Sequence, residues 1–281
     1  MKKIIAAFDG LKYSASTRDH ATWLAGHTDA HLVGVFLDDP SYTSYKTYDV
    51  IAGKGIYEYE DRQREFDAKD KAARLAASED FEKKCQAGKL QYTVHHDRNI
   101  AIRELKHETI YADLLVIDGR ETLTHYTEKL PTRFLRDLLA DAQCPVLIVP
   151  PKFKEPEKII LLYDGEPSSV HAIKMFSYLL PAFKSLETEV ISVNLPGTTL
   201  HMRDNKLMKE FMKRHFPKAR YTVLKGFPEE EITKYLKQGK DQAWVVLGAY
   251  RRSMVSRWFR ESMADILMKE VRMPLFIAHN K

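Results

Sequence analysis

The chain has 281 residues, 44% of them hydrophobic and 30% charged, so it can build the core of one large domain or of two ordinary ones. Its 44 Lys and Arg residues exceed its 39 Asp and Glu residues by little and are scattered, which argues against a nucleic-acid partner. No apolar run is long enough to span a bilayer, and Asp9 comes too early for a signal peptide. Cys85 and Cys144 form no disulfide framework. We therefore expect a cytoplasmic protein without a membrane partner.

The chain repeats itself at low similarity. Four segments of the first half recur in the same order in the second: 4–10 as 159–165, 92–94 as 221–223, 113–117 as 243–247, and 145–149 as 274–278. Between the halves lies a charged stretch rich in proline, which suits a short, stiff linker. The predicted organisation is a first domain over 1–150, a linker over 151–156 and a second domain over 157–281.

Within each half the apolar runs are short, continuous and rich in Val, Ile and Leu, as expected for strands buried on both faces of a parallel sheet. Segments with helical spacing separate these runs. They are 14–27, 60–86, 99–111 and 132–142 in the first half, and 168–181, 204–215, 229–237 and 257–271 in the second. The alternation of strands and helices predicts an α/β fold with a doubly wound parallel sheet in each half.

Asp9 and Asp164 each follow the first strand of a half, where the crevice of an open parallel sheet binds ligands. The alternative is that Asp-Gly only makes the strand-to-helix turn, and the sequence leaves both interpretations open. The phosphate-loop, dinucleotide and nucleophile-elbow motifs are missing, as is the second acidic residue of a phosphoacceptor domain. The segment 95–97, His-His-Asp, is interpreted as a surface loop. We therefore expect no catalytic residue and no metal site.

The order of the elements, the aspartate after the first strand and the Cys-Pro-Val-Leu-Ile-Val ending at 144–149 resemble the universal stress protein family, twice over nearly the whole chain. The resemblance implies two flavodoxin-like (adenine nucleotide alpha hydrolase-like) domains. Each would have a five-stranded parallel sheet of order 3-2-1-4-5, helices on both faces and a sheet of its own. It further implies that the last strands of the two halves pair, because each would otherwise expose a sheet edge.

Members of this family that bind ATP carry G-x2-G-x9-G-[ST] after the fourth strand, where backbone amides and a hydroxyl hold phosphates. In the first half this spacing falls on Asp118, Glu121, Pro131 and Thr132. In the second half it falls on Gly248, Arg251, Glu261 and Ser262. The first motif has lost every glycine, whereas the second keeps one glycine and the hydroxyl.

These substitutions predict that the first domain does not bind ATP, because two carboxylates would lie beside the phosphates. For the second domain the sequence leaves weak binding of ATP or another anionic ligand open, because Arg251 can offset Glu261. The candidate binding residues are Asp164, Gly248, Arg251 and Ser262 in the second half, and Asp9 and Thr132 in the first.

A long connection over 38–60 occurs only in the first half and contains five tyrosines, Tyr42, Tyr45, Tyr48, Tyr57 and Tyr59. Such a segment can form a lid or an interface. We favour the interpretation that the tyrosines cover apolar surface of their own domain.

A cluster of arginines surrounds Trp258 where the phosphate loop is expected: Arg251, Arg252, Arg257 and Arg260. Arginine side chains there could bind an anion in place of backbone amides, or they could form a solvated rim.

The function predicted from these features is that of a stress-response binding or regulatory protein that is not an enzyme. Two alternatives remain open: a protein that binds or slowly hydrolyses ATP through its second half, and a scaffold without a small ligand. The partners expected are the second domain of the same chain, an unidentified protein and, as an open question, a second copy of the chain.

Overall fold

A computed structural model describes residues 1–39, 42–46, 56–197, 201–239, 242–248 and 262–278. The strands of the first half are β1 Lys3–Phe8, β2 His31–Leu37, β3 Tyr92–Asp97, β4 Leu114–Asp118 and β5 Val146–Val149. Those of the second half are β6 Lys158–Leu162, β7 Glu187–Asn194, β8 Arg220–Lys225, β9 Ala243–Gly248 and β10 Leu275–Ala278. The interiors of β1, β4, β6 and β9 are buried almost throughout, as expected for central strands covered on both faces.

The helices alternate with these strands. In the first half they are α1 Ala15–Thr28, α2 Ile56–Ala87, α3 Ala101–Glu108 and α4 Arg133–Asp141, with a 3₁₀ turn at Thr109–Tyr111. In the second half they are α5 Pro167–Leu179, α6 Asn205–His215, α7 Pro228–Gln238 and α8 Met263–Glu270, with a 3₁₀ turn at Pro181–Ser185. The helix predicted over 257–271 begins at Met263, because Ser262 is its N-cap, and ends at Glu270; 257–261 lie outside the described residues. No described helix is long and apolar enough to cross a membrane.

The strand order is β3-β2-β1-β4-β5-β10-β9-β6-β7-β8. Each half therefore contributes five strands in the order 3-2-1-4-5, which confirms the predicted fold. The expectation of a separate sheet in each half is wrong, because β10 pairs with β5 in antiparallel register. Leu275 lies opposite Ile148, and Ile277 lies opposite Val146.

Packing divides the chain into two compact units. One contains residues 2–112 and 116–143; the other contains Met1, 113–115 and 144–281. In the unit that contains 2–112, the centroid of the Phe8 ring lies 5.0 Å from that of Phe36 and 5.4 Å from that of Phe81. In the second unit, Phe176 contacts Phe276 at 5.1 Å. Each unit thus has an aromatic core of its own between sheet and helices.

Candidate functional site

Asp9 lies directly after β1, and only 1% of its surface is exposed. Its Oδ1 accepts a hydrogen bond of 2.8 Å from the backbone N–H of Leu11, which makes the turn into α1. Its Oδ2 is buried and has no hydrogen-bond partner among the described residues. Burial raises the pKa of Asp9, against the opposing effect of the Leu11 amide and the nearby Tyr42 hydroxyl. The turn interpretation of Asp9 thus has direct support, and the side chain is closed off from solvent.

Asp118 ends β4, and its carboxylate joins this strand to the start of α1. Its Oδ2 accepts from Ser14 Oγ at 2.8 Å and from Arg120 Nη2 at 3.0 Å, while its Oδ1 accepts from the Arg120 backbone N–H at 2.8 Å. Burial raises the pKa of Asp118, but the hydrogen bonds from Arg120 and Ser14 outweigh burial, so that the pKa is lowered. The charge at Asp118 is therefore compensated within the protein. The expected repulsion of phosphate by this carboxylate is correspondingly weaker than the sequence indicated.

Glu121 turns its carboxyl group onto the backbone of its own loop. Its Oε1 accepts 2.9 Å hydrogen bonds from the N–H groups of both Thr122 and Leu123. Two consecutive amides that point at one group form a nest of the kind that binds anions. Here the nest is occupied by a side chain of the same chain. Burial, followed by the charge of Asp9, raises the pKa of Glu121 to about 7.

Thr132 is the N-cap of α4, and its exposed fraction is 1%. Its hydroxyl accepts from the backbone N–H of Leu135 at 3.2 Å and donates to the carbonyl of Glu121 at 2.5 Å. Because both hydrogen-bonding roles are filled, this hydroxyl has a structural role in the first half.

Tyr42 covers the first site, a feature that the sequence did not reveal. Its ring is 5% exposed and packs 5.4 Å from the ring of His125, with Lys12 Nζ 5.7 Å above its centre. Arg74 Nη2 donates to the Tyr42 carbonyl at 3.0 Å. Burial, followed by the charge of Asp9, raises the pKa of Tyr42. Tyr42 thus seals the crevice above Asp9.

Residues 42–46, called the strap below, pack against α2 through hydrogen bonds and one ring contact. The Ser44 backbone N–H donates to Asp70 Oδ2 at 2.9 Å, the Tyr45 hydroxyl donates to Asp67 at 2.5 Å, and the ring of Tyr45 stacks on Phe66 at 4.9 Å. Tyr42 and Tyr45 therefore pack against their own domain, as favoured from the sequence. Tyr48 and the side chains of Tyr57 and Tyr59 lie outside the described residues.

In the second half, Asp164 follows β6 and is exposed, unlike Asp9. Its Oδ1 accepts from the Glu166 backbone N–H at 2.9 Å, which repeats the turn seen at Asp9. Beside it, Gly165 has φ +85°, and a Cβ at this position would lie 2.6 Å from Arg203 Cδ. Arg203 crosses this turn and approaches Glu166 Oε1 at 3.7 Å.

Gly248 ends β9, next to β6, and lies against the first turn of α5. A Cβ on Gly248 would come within 2.5 Å of the Ser168 carbonyl oxygen and 2.7 Å of the Ser169 nitrogen. Glycine is therefore required here by backbone packing, whether or not a phosphate also approaches.

Ser262 is the N-cap of α8 and forms a capping box with Asp265, with 3.1 Å hydrogen bonds in both directions. The structure therefore places Asp164 and Gly248 on adjacent strand ends, and Ser262 at a helix start. Arg251 and Glu261, like Arg252, Arg257, Trp258 and Arg260, lie outside the described residues.

The His-His-Asp segment at 95–97 belongs to β3, so its interpretation as a surface loop is corrected. His95 Nδ1 lies 2.7 Å from Glu108, and His96 Nδ1 lies 3.3 Å from Asp38. The two imidazoles thus have different partners, as alternation along a strand requires. Among the described residues, no group of three or more potential ligands could hold a metal ion.

No protein-family model and no curated protein sequence match the chain. Solved structures match it over nearly its full length. A universal stress protein from Archaeoglobus fulgidus has 14% identity and a TM-score of 0.66, covering 99% of this chain and 98% of that one. A putative universal stress protein from Pseudomonas aeruginosa has 14% identity and a TM-score of 0.62, and the match covers 99% of this chain and 93% of that one. A functionally unknown protein from the same species has 11% identity and a TM-score of 0.63, covering 99% and 92%.

The chain thus has the architecture of a tandem, doubly wound α/β protein. More particularly, it has the fold of two-domain universal stress proteins, which confirms at the level of fold the resemblance found in the sequence. At such low identity the match describes the fold, and what the two sites do has to be argued from their own residues.

Proposed function

We propose that this protein is a cytoplasmic stress-response binding protein that holds ATP or another anionic ligand in its second half and does not turn it over. The observation that carries this proposal is the contrast between the two equivalent aspartates. Asp9 is 1% exposed beneath Tyr42, whereas Asp164 is exposed at the same position of the repeat. The first site is filled by its own side chains, whereas among the described residues no side chain covers Asp164 as Tyr42 covers Asp9.

The charge pattern of the second site supports an anionic ligand. The exposed guanidinium of Arg203 lies over the turn at Asp164, and Gly248 brings the end of β9 against the start of the 13-residue helix α5. The amino end of a helix carries a partial positive charge that favours phosphate. In the first half, by contrast, Glu121 already occupies the amide nest.

The hydroxyl groups of Ser169 and Ser262 have structural partners, which supports a role for both serines other than that of a nucleophile. Ser169 Oγ donates to the Glu166 carbonyl at 2.8 Å, and Ser262 Oγ accepts from the backbone of its own helix. A nucleophile would need a general base as its hydrogen-bond partner. Neither serine has such a partner among the described residues.

Calorimetric titration of ATP into the full-length chain tests this proposal. We expect one ATP per chain, with the Asp164 carboxylate on the nucleoside and not on the phosphates, so that Asp164→Asn weakens binding at least about tenfold. The matched variant Asp9→Asn, which changes the equivalent buried residue, is expected to leave binding unchanged. Arg251→Glu is expected to weaken binding if this arginine replaces the lost glycine amide. Two ATP molecules per chain, or a loss caused by Asp9→Asn alone, would contradict the proposal.

We also infer that the pairing of the last strands persists in solution and that any protein partner or second copy of the chain binds elsewhere. The antiparallel hydrogen bonding of β5 with β10 supports this inference, because it satisfies both strands within one chain. Light scattering at several concentrations tests it. A monomer–dimer equilibrium abolished by a proline at Leu147 would contradict it.

A further inference from the structure

The near-neutral total charge conceals a difference between the two halves. Residues 157–281 contain 21 Lys and Arg against 14 Asp and Glu, whereas residues 1–150 contain 21 against 24. The positive charge of the chain therefore belongs to its second half. Such an asymmetry is a reason to look for a surface that binds a polyanion.

Much of this positive charge lies on one face, formed by α5, α6 and the 3₁₀ turn between them. The helix α6 buries Met208 and Met212 and turns its cations to solvent, with Glu210 as its single acidic residue. The cations of the face, called the α5–α6 face below, are Lys174, Lys184, Lys206, Lys209, Lys213 and Arg214. Within the described part of the chain, none of the six forms an ion pair with a carboxylate.

His215 shows that these cations converge. It sits between the two helices, with its Nδ1 at 2.9 Å from Ser177 Oγ on α5. Burial, followed by the charges of Lys184 and Lys174, lowers the pKa of His215. Lys174 of α5 and Lys184 of the 3₁₀ turn thus lie close enough to α6 to act on His215, and α6 adds its own exposed cations to the same pair of helices.

The equivalent face of the first half has no such excess. There Arg18 of α1 pairs with Asp19 at 2.8 Å and also with Asp80 of α2, and Lys84 lies 3.5 Å from Asp19. On this face, therefore, Arg18 and Lys84 of the first half have carboxylate partners, whereas the six cations of the second half have none among the described residues. The positive α5–α6 face is a property of this sequence and not a requirement of the architecture.

Aromatic rings accompany the cations. Tyr178 on α5 is 61% exposed, and its ring lies 5.3 Å from the ring of His215. Phe211, one turn earlier on α6, lies 4.1 Å from the same imidazole. An exposed ring beside several cations is the combination with which proteins hold single-stranded nucleic acid, by stacking bases and neutralising phosphates.

Two other kinds of partner, an anionic membrane and an acidic protein, fit this face less well. A membrane-binding helix inserts an apolar side into the lipid, but the apolar side of α6 is buried in the protein core. Protein–protein interfaces are depleted in lysine, whereas five of the six cations here are lysines. Lysine ammonium groups act as point charges that suit phosphate oxygens well.

We propose that the α5–α6 face binds single-stranded nucleic acid, with its lysines on the phosphates and Tyr178 stacked on a base. This inference runs against the expectation, drawn from the scattered basic residues of the sequence, that nucleic acid is no partner. Four or five phosphate contacts predict weak binding with a log–log salt slope of about −3, at about 0.7 per phosphate on a single strand.

The test is fluorescence anisotropy of the full-length chain with a labelled oligothymidylate of about 20 nucleotides, titrated at several salt concentrations from about 50 mM upward. The triple variant Lys209→Gln/Lys213→Gln/Arg214→Gln should bind at least about tenfold more weakly and lose about two units of salt slope. The matched control Arg64→Gln/Lys71→Gln/Lys83→Gln removes the same charge from α2 and should bind like the unmodified chain. All six side chains are exposed, so circular dichroism should show both triple variants folded.

Tyr178→Ala separates single-strand binding from simple attraction to phosphate. It should weaken oligothymidylate binding about tenfold, from the loss of one stacked base, and leave duplex binding unchanged. The proposal is overturned if the chain does not bind at low salt, if both triple variants lose binding equally, or if Tyr178→Ala has no effect. Binding only to vesicles containing phosphatidylglycerol would assign the face to membranes and overturn it too. None of these results depends on ATP binding by the second half.

Discussion

Replacing Glu121 by Gln should remove the dependence of the free energy of unfolding on pH that the raised pKa of Glu121 causes. The folded pKa of Glu121 is about 7, against 4.5 for the free side chain. The folded state therefore holds a proton that the unfolded state releases between these two values. Stability consequently falls as pH rises through this window, and the loss is complete above the folded pKa. A difference of about 2.5 units corresponds to about 3 kcal/mol.

Gln is a conservative probe at this position because its side-chain oxygen can still accept from the Thr122 and Leu123 amides. Near pH 4.5 the two proteins should be about equally stable. Near pH 8 the Glu121→Gln protein should be more stable by about 2–3 kcal/mol. The assay is urea unfolding at several pH values, with the difference between the two proteins as the measured quantity.

Taking the difference cancels groups common to both proteins. Burial lowers the pKa of His20 to about 4, so His20 makes stability rise with pH between that value and its ordinary 6.5, but equally in both proteins. The exposed Glu79→Gln serves as a control and should show no pH-dependent difference from the unmodified chain beyond about 0.5 kcal/mol. A Glu121→Gln difference that stays flat from pH 4.5 to 8 would refute the assignment of Glu121 as a buried proton-binding group.

Two further predictions concern packing. Tyr42→Ala should lower the free energy of unfolding by about 2–4 kcal/mol, because it empties the covered crevice, whereas Tyr42→Phe keeps the ring and should cost less than about 1.5 kcal/mol. Urea unfolding measures both, and equal losses would contradict a sealing role for the ring. Gly248→Ala should lower the free energy of unfolding by about 1–3 kcal/mol, because the new Cβ clashes with the Ser168 backbone. Gly26→Ala is the control: its Cβ would meet only Leu90 at 3.7 Å, so this change inside α1 should be neutral or stabilising by up to about 1 kcal/mol. Thermal unfolding that ranks the two glycine variants the other way would contradict the packing role of Gly248.

The alternation of strands and helices could be predicted because it depends on local signals, whereas the strand order 3-2-1-4-5 was implied by the family resemblance. Continuous apolar runs such as the one at 114–117 identify buried parallel strands, and their repetition in one order fixes the alternation with helices. The union of the strands in one sheet was harder to foresee. It depends on the register between β5 and β10, segments more than 120 residues apart, which no local pattern encodes.

The candidate site was predicted in position but less well in role. The spacing assigned Asp118, Glu121 and Thr132 to the segment after the fourth strand, and in the structure Asp118 ends β4, Glu121 lies in the following loop and Thr132 caps α4. The hydrogen-bond partners of the two carboxylates could not be foreseen. Arg120 compensates the charge of Asp118, and Glu121 accepts hydrogen bonds from the backbone of its own loop. Tyr42 was within a segment that the sequence singled out for its length, and that length was the one signal of its role. Whether it closes a site or covers a surface depends on how the strap packs against α2.

The two halves show how the same crevice can be satisfied in different ways. The loop after a strand end leaves backbone amides that need an acceptor, such as those of Thr122 and Leu123, and a buried amide without one is costly. In the first half the chain supplies its own acceptor, the carboxyl group of Glu121, together with its own cover, Tyr42. In the second half, Gly248 stands where the first half has Asp118, and Asp164 remains exposed. If the second half binds an anion as proposed, the Glu121 carboxyl group takes in the first half the place that the ligand takes in the second.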